Sequence, residues 1–324
     1  MKLNPIALYR RTGADVPFGN PLPSHSTEME GWFWRVSDEA SGRVLIALCS
    51  VNRHPAGDWS TTAVAVHPGD VVRSAALSGA RAADGPFSVT AGDEAGNFTV
   101  GADRVRFELA DLTLEMEFGD RVLWPKAFGG GGMFSAIPFL NQYWHPYYLG
   151  GRASGTVSYT GPDGPESWNF DNAKLYAERN WGAGFPLRWW WGQAHDFGEA
   201  DVCVAFSGGL LSLGPIARDV NGIVVRVGTK VIRMTPPVLV RSQIGENQWF
   251  LRGRSPRYEI ELEGDGRHLP PHVLPVPLPA ERRNIDSDFE HLGARLRCTV
   301  RESGRLLFEG TSELAALEVG TRPK

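Results

Sequence analysis

An all-β fold is predicted by three features of the sequence. Short apolar runs with period-two alternation recur along its length; Asp-Gly, Gly-Asp and Ala-Gly pairs punctuate them; and no strong amphipathic helix interrupts. Composition agrees, since 38 glycines and 23 prolines beside 42% hydrophobic and 22% charged residues suit a globular chain rich in strands and turns. At 324 residues the chain is long enough for two domains or one large β-structure. Two strand-rich halves meet near residue 150, so the expected domains are 1–150 and 151–324.

In chain order, a proline-rich lead-in (Pro17, Pro21, Pro23) precedes strands expected at 30–36 and 43–51, joined by Ser41-Gly42. Trp32, Trp34 and Val36 alternate with Phe33 and Arg35, apolar groups on both sides, which marks this pair as central. Further strands are expected at 61–66, 86–90, 97–100, 105–109 and 112–118. The run Gly129 to Gly132 then reads as a hinge or lid before the aromatic passage 133–148. It lacks the Lys-Ser/Thr and following helix of a phosphate loop. Strands resume at 152–159, 167–170, 173–179, 188–197, 201–206, 222–227, 230–234, 248–254 and 257–263. A long irregular connection is expected over 264–288, dense in proline (Pro270, Pro271, Pro275, Pro277, Pro279), before final strands at 294–301, 305–309 and 311–317.

The densest stretch is 176–197, which holds four of the eleven tryptophans. Tyr176, Glu178 and Asn180 share one side of an extended segment; Gly182, Gly184 and Pro186 then turn the chain. On the next strand Trp189, Trp191, Gln193, His195 and Phe197 are expected on one face, with Trp190, Ala194 and Asp196 on the other. This aromatic wall has two readings. It is core packing of a β-barrel, or it lines a cavity for an apolar or cationic species, because aromatic faces stabilise positive charge by about 2 kcal/mol where water is excluded. A few polar groups among the rings would orient a ligand.

Several function classes lose support. The net charge of −4 gives no pull towards nucleic acid. Cys49, Cys203 and Cys298 lie far apart in apolar runs, as reduced core residues do. His268 and His272 have the spacing of helical metal ligands, but Pro270 and Pro271 forbid that helix, so no metal site is expected. There is no Gly-x-Ser-x-Gly elbow, His-Glu-x-x-His or dinucleotide fingerprint. No long apolar run suggests a membrane span. A cytoplasmic chain is expected, with contact at a membrane surface for substrate uptake as the membrane role left open.

The segments Ala177-Glu178-Arg179-Asn180-Trp181-Gly182, Gly184-Phe185-Pro186 and Trp189-x-Trp191-x-Gln193 resemble the tocopherol cyclases. So do Glu30-Gly31-Trp32-Phe33-Trp34-Arg35, Ala136-Ile137-Pro138-Phe139, Trp168-Asn169-Phe170 and Ala315-Ala316-Leu317-Glu318-Val319-Gly320, in one order along nearly the whole chain. The resemblance implies a pair of lipocalin-like barrels or sandwiches. It also implies a cofactor-free cyclase in which a prenyl alkene is protonated and a neighbouring phenol oxygen captures the tertiary cation. The partner expected is a hydrophobic small molecule, a prenylated aromatic or polyene. Water addition or pericyclic cyclisation on the same scaffold, and non-catalytic lipid carriage, are the alternatives.

Such chemistry needs an acid protonated at working pH, from a buried carboxyl or a histidine. The candidates are Glu178, His195, Glu30, Asp171, His145 and Asp196. Glu30 and Glu178 fall in the family-like motifs, where either is also a structural carboxylate satisfied by Arg35, Arg179 or turn amides. His195 and Asp196 depart from the plant-type Gln-Cys-Asn-x-Phe pattern; His195 is alternatively a core histidine beside Gln193, and Asp196 is expected on the solvent side or capping a turn. The expected cavity lining is Trp32, Tyr143, Trp144, Tyr147, Tyr176, Asn180, Trp181, Trp189, Trp191, Gln193 and Phe197.

Overall fold

Two antiparallel sheets hold nearly all the regular structure of the computed structural model, which describes Asn4 and residues 27–125, 128–198 and 200–323. The proline-rich lead-in lies outside the described residues. The first sheet contains β1 (Met29–Asp38), β2 (Arg43–Asn52), β3 (Trp59–His67), β4 (Val71–Ser78), β5 (Arg81–Asp84), β6 (Phe87–Asp93), β7 (Gly96–Gly101), β8 (Arg104–Leu109), β9 (Leu112–Gly119), β10 (Gln142–Tyr148), β11 (Arg152–Gly161) and β12 (Gly164–Gly182). The second contains β13 (Arg188–Phe197), β14 (Ala200–Leu213), β15 (Ile216–Val227), β16 (Lys230–Met234), β17 (Val240–Ile244), β18 (Gln248–Arg254), β19 (Tyr258–Asp265), β20 (His272–Leu278), β21 (Arg283–Glu302) and β22 (Arg305–Thr321). Two short 3₁₀ turns, at Gly132–Ala136 and Pro279–Glu281, complete the described elements.

The two sheets repeat one plan. In order they run β4-β3-β2-β1-β12-β11-β9-β8-β7-β6-β5 and β16-β15-β14-β13-β22-β21-β19-β18-β17. Each opens with a four-strand meander whose first strand pairs with its sheet's last long strand, β1 with β12 and β13 with β22. Each sheet curls so that its ends approach. Ser78 N donates to Asp93 Oδ2 (2.8 Å) across the first, and Asn221 Nδ2 donates to the Val240 carbonyl (3.2 Å) across the second. These are the two lipocalin-like halves anticipated above, but the change of sheet falls between Gly182 and Arg188 instead of near residue 150. β11 and β12 are required by the first sheet, because β12 supplies the partner edge for β1, β11 and β10.

Curling creates three cores. Trp34, Leu45, Phe98, Leu114 and Tyr148 fill the first half; Trp190, Phe206, Leu251, Ile260 and Leu296 fill the second. The third lies between the halves, where Ile46, Ala65 and Tyr176 meet Trp191, Ala205, Val224 and Ala316. This explains why β1, β2 and β3 are apolar on both faces: one face fills a barrel and the other the junction.

Two expectations need correction. The proline-dense passage 264–288 is not irregular throughout, because β20 and the start of β21 occupy it. Pro275 and Pro277 are tolerated since β20 pairs with β21 alone and its missing N–H groups face no second strand. The run Gly129–Gly132 is packed against its surroundings. A Cβ on Gly130 would stand 1.9 Å from Trp144 Cε3, and one on Gly222 would stand 2.6 Å from the Gly130 carbonyl oxygen. Close approach of backbone to ring and backbone to backbone is what glycine supplies here.

Candidate active site

The junction between the halves holds a cavity lined mainly by apolar atoms, with β12 and β13 as its two central walls. Gly182 makes the join possible: its φ is 153°, and a Cβ there would lie 2.2 Å from the Asn141 carbonyl oxygen. Glu178 projects from β12 into this space, and Trp189 and Trp191 face it from β13. Trp32, Trp144 and Asn180 also line it.

Glu178 is 5% exposed and holds three donors on one oxygen. Oε2 accepts from the Tyr176 hydroxyl at 2.5 Å, the Trp144 indole at 2.7 Å and the Trp191 indole at 2.8 Å. Burial pushes its pKa up to about 7 against the opposing pull of these donors. A carboxyl so placed exchanges a proton near neutrality, which an exposed glutamate cannot do. The three donors converge on Oε2 and fix the orientation of the carboxyl in the cavity wall.

The remaining acid candidates stand elsewhere. His195 is buried and lines a separate polar recess with Lys174, Asp201 and Arg226. Burial, reinforced by the positive charges of Arg35, Arg226 and Lys174, holds its pKa well below the ordinary value, so it is neutral imidazole and a poor proton donor. Asp196 is not on the solvent side; it is buried, with Lys174 Nζ 3.2 Å from Oδ1. Glu30 is paired with Arg53 at 3.1 Å, and burial raises its pKa against the charges of Arg179 and Arg53. His145 is buried near Trp124, its pKa lowered to about 3 by burial and by Arg179. Asp171 is exposed and accepts from the Ser154 hydroxyl at 2.7 Å.

The expected lining divides in the same way. Tyr176 stands behind Glu178 as a donor, not against the cavity. Gln193 is turned away to accept from Arg35 Nη1 at 2.8 Å. Tyr143 stacks on Trp181 with ring centroids 5.4 Å apart, beneath the 129–141 passage, and Tyr147 belongs to the first barrel's core. Phe197 packs with Trp190 and Ala194 in the second barrel and meets Phe308 edge-on. The register of β13 against β14 shifts between Ala194 and Asp196, and this irregularity moves Phe197 off the face of Trp189 and Trp191.

One part of the cavity escaped sequence reasoning. Glu318 and Asp288 also line it, with Glu290 directly across the β21–β22 ladder from Glu318. All three are buried. Glu318 Oε1 accepts from the Trp189 indole, and burial with the nearby charge of Glu178 brings its pKa up to about 7. Burial and mutual repulsion push Asp288 and Glu290 well above the usual carboxylate range. Glu318 stood in a family-like motif, and its strand neighbours Leu317 and Val319 are apolar; a carboxylate in that setting was the available signal.

A double lipocalin-like fold enclosing a carboxyl-bearing aromatic cavity at its junction defines the structural class. The chain belongs to the tocopherol cyclase-like family, whose model matches residues 87–321. A curated relative, "Tocopherol cyclase, chloroplastic" of Zea mays, is 26% identical over 208 residues, covering 61% of this chain and 43% of that protein. The chain spans less than half the length of the curated relatives it matches. Among solved structures, CghA with Sch210972 superposes with a TM-score of 0.59 at 12% identity, over 91% of this chain and 88% of that one. Kievitone hydratase from Nectria haematococca does so with a TM-score of 0.52 at 10% identity, over 91% and 89%. At these identities the likeness is one of fold.

Proposed function

We propose that this protein is a cyclase that closes a ring on a prenylated phenol or quinol, begun by proton transfer from Glu178 to a side-chain alkene. The observation that carries the reading is Glu178 itself: a carboxyl titrating at about 7, clamped on one oxygen by two indoles and a phenol, in an aromatic cavity. Protonation of the alkene's less substituted carbon leaves a tertiary cation. Trp144, Trp189 and Trp191 stabilise that charge through their faces and offer no competing nucleophile. Capture by the phenol oxygen closes the ring, and loss of the hydroxyl proton completes an isomerisation. Family membership and the tocopherol cyclase relatives support the same reaction class.

Water addition is the second reading, favoured by Ser50, Thr61, Gln142 and Asn180 on the same cavity wall, which could hold a water molecule, and by the hydratase among the fold's neighbours. Incubation with a prenylated hydroquinone in water labelled in its oxygen separates the readings. A product of unchanged mass identifies a cyclase, a gain of one labelled water a hydratase, and unchanged substrate a carrier. Glu178→Gln keeps the shape but removes the transferable proton, so turnover is expected to fall by about a hundredfold while the substrate still binds. Full turnover by this variant would remove Glu178 from the chemistry. Met133, Phe139 and Leu213 are exposed on segments that also line the cavity through Gly130, Gly131 and Leu211, which suits uptake from a lipid surface; co-sedimentation with phospholipid vesicles tests it.

A further inference from the structure

We propose that Glu318, buttressed by Asp288 and Glu290, is the second proton-transfer group of the cavity and receives the substrate's hydroxyl proton while Glu178 delivers its own to carbon. The inference rests on the cyclase reading above and adds to it where the head group sits.

The geometry begins with β13. Trp189 and Trp191 lie two residues apart on one strand face, and each gives its indole N–H to a different carboxyl: Trp191 to Glu178 and Trp189 to Glu318. One strand therefore presents two carboxyl groups to one cavity, from opposite halves of the molecule. Glu318 is the accepting member of its own cluster. Glu290 stands directly across the ladder from Glu318, and Asp288, two residues along the same strand, shares its face. No donor among the described residues reaches Asp288 Oδ1 or either oxygen of Glu290. Three buried carboxyls on one face cannot all ionise; burial and mutual repulsion hold Asp288 and Glu290 well above the usual carboxylate range, and the Trp189 indole donating to Glu318 favours Glu318 as the member that ionises. Asp288 and Glu318 both line the cavity, so the cluster opens onto the ligand space.

The chemistry balances. The proton on Glu178 forms a new C–H bond as the alkene's π pair is used; the phenol oxygen forms the C–O bond; its O–H electrons stay on oxygen as the proton passes to Glu318. Each turnover leaves Glu178 ionised and Glu318 protonated. Because the field of Glu178 itself raises the proton affinity of Glu318, charge on Glu178 favours that transfer, and exchange with solvent resets the pair. The substrate must then lie with its hydroxyl towards Asp288 and Glu318 and its reacting alkene towards Glu178.

Binding tests this without turnover. The probes are a hydroquinone bearing a saturated side chain and its O-methyl ether. The native protein should prefer the free hydroxyl by at least about tenfold, since a carboxylate acceptor gains a charge-assisted hydrogen bond that the ether cannot give. Glu318→Gln should erase the preference, and Asp171→Asn, an exposed carboxylate remote from the site, should leave it intact. A preference unchanged in Glu318→Gln, or erased by Glu178→Gln instead, overturns the assignment and leaves the cyclase reading standing. Failure of the native protein to bind either probe overturns both. With a turned-over substrate, Glu318→Gln should lower kcat about a hundredfold and abolish the fall in rate towards acid pH, while the fall towards alkaline pH remains. A native profile in that variant is the contrary result.

Discussion

One proton on Glu178 links the proposed chemistry to stability. Its pKa in the folded protein is about 7, above the value near 4.5 of the unfolded chain, so between those limits the folded state binds more protons than the unfolded state. Stability must then fall as pH rises from about 4.5 to about 7, by on the order of 3 kcal/mol from this group, and level off above. Glu178→Gln, neutral throughout, should lose that component; denaturant melts of both proteins across the range measure it, and parallel curves would contradict the burial argument. Trp191→Phe removes one donor to the carboxylate form of Glu178. Its pKa should move further up, carrying the alkaline limb of the rate profile to higher pH, and an unmoved limb would mean that the indole bond does not govern the proton.

At the scale of elements, the cavity depends on how the 129–141 passage is fastened to β14. Asn141 makes that connection: its Oδ1 accepts from Ser212 N at 2.8 Å, and its Nδ2 donates to the Leu210 carbonyl at 3.2 Å. Asn141→Ala leaves the Ser212 amide unsatisfied and should cost about 2 kcal/mol. Hydrogen exchange should quicken at Ser212 before the barrel strands respond, and uniform exchange rates would show that the tie is not local. Gly130 is stricter, since any side chain must displace the Trp144 ring that holds Glu178. Gly130→Ala should reduce both stability and the binding of a prenylated phenol, and unchanged affinity with an intact fold would show that the ring can move freely.

The whole molecule is joined by a buried cation as well as by apolar packing. Arg35 of β1 reaches across the junction to Gln193 Oε1 at 2.8 Å and to the Leu314 carbonyl, and it is fully buried. Arg35→Leu strands those acceptors and removes positive charge that faces Asp196 and Glu290. A loss on the order of 3 kcal/mol is expected, read from the denaturation midpoint. Since the third core covers faces of both sheets, fluorescence and circular dichroism should still report a single transition. Separate transitions for the two halves would show that the junction is not part of one cooperative unit.

Alternation and turn residues were sufficient to read most strands, because a strand's faces are set by neighbours two positions away. The pairing of Glu178 with an aromatic wall was legible for the same reason: Tyr176 and Glu178 share a side, as do Trp189 and Trp191. Where β13 slips out of phase after Ala194 could not be read, since the irregularity arises from pairing with β14, and it decides that Phe197 leaves the cavity and His195 faces a separate recess. β20 was hidden because proline is excluded from central strands but not from an edge, and only the sheet order shows which strand is an edge. The carboxyl cluster lay furthest from view. Asp288 and Glu290 stand thirty and twenty-eight positions from Glu318 in sequence and beside it in space, and burial, a property of the assembled junction, raises the proton affinity of all three.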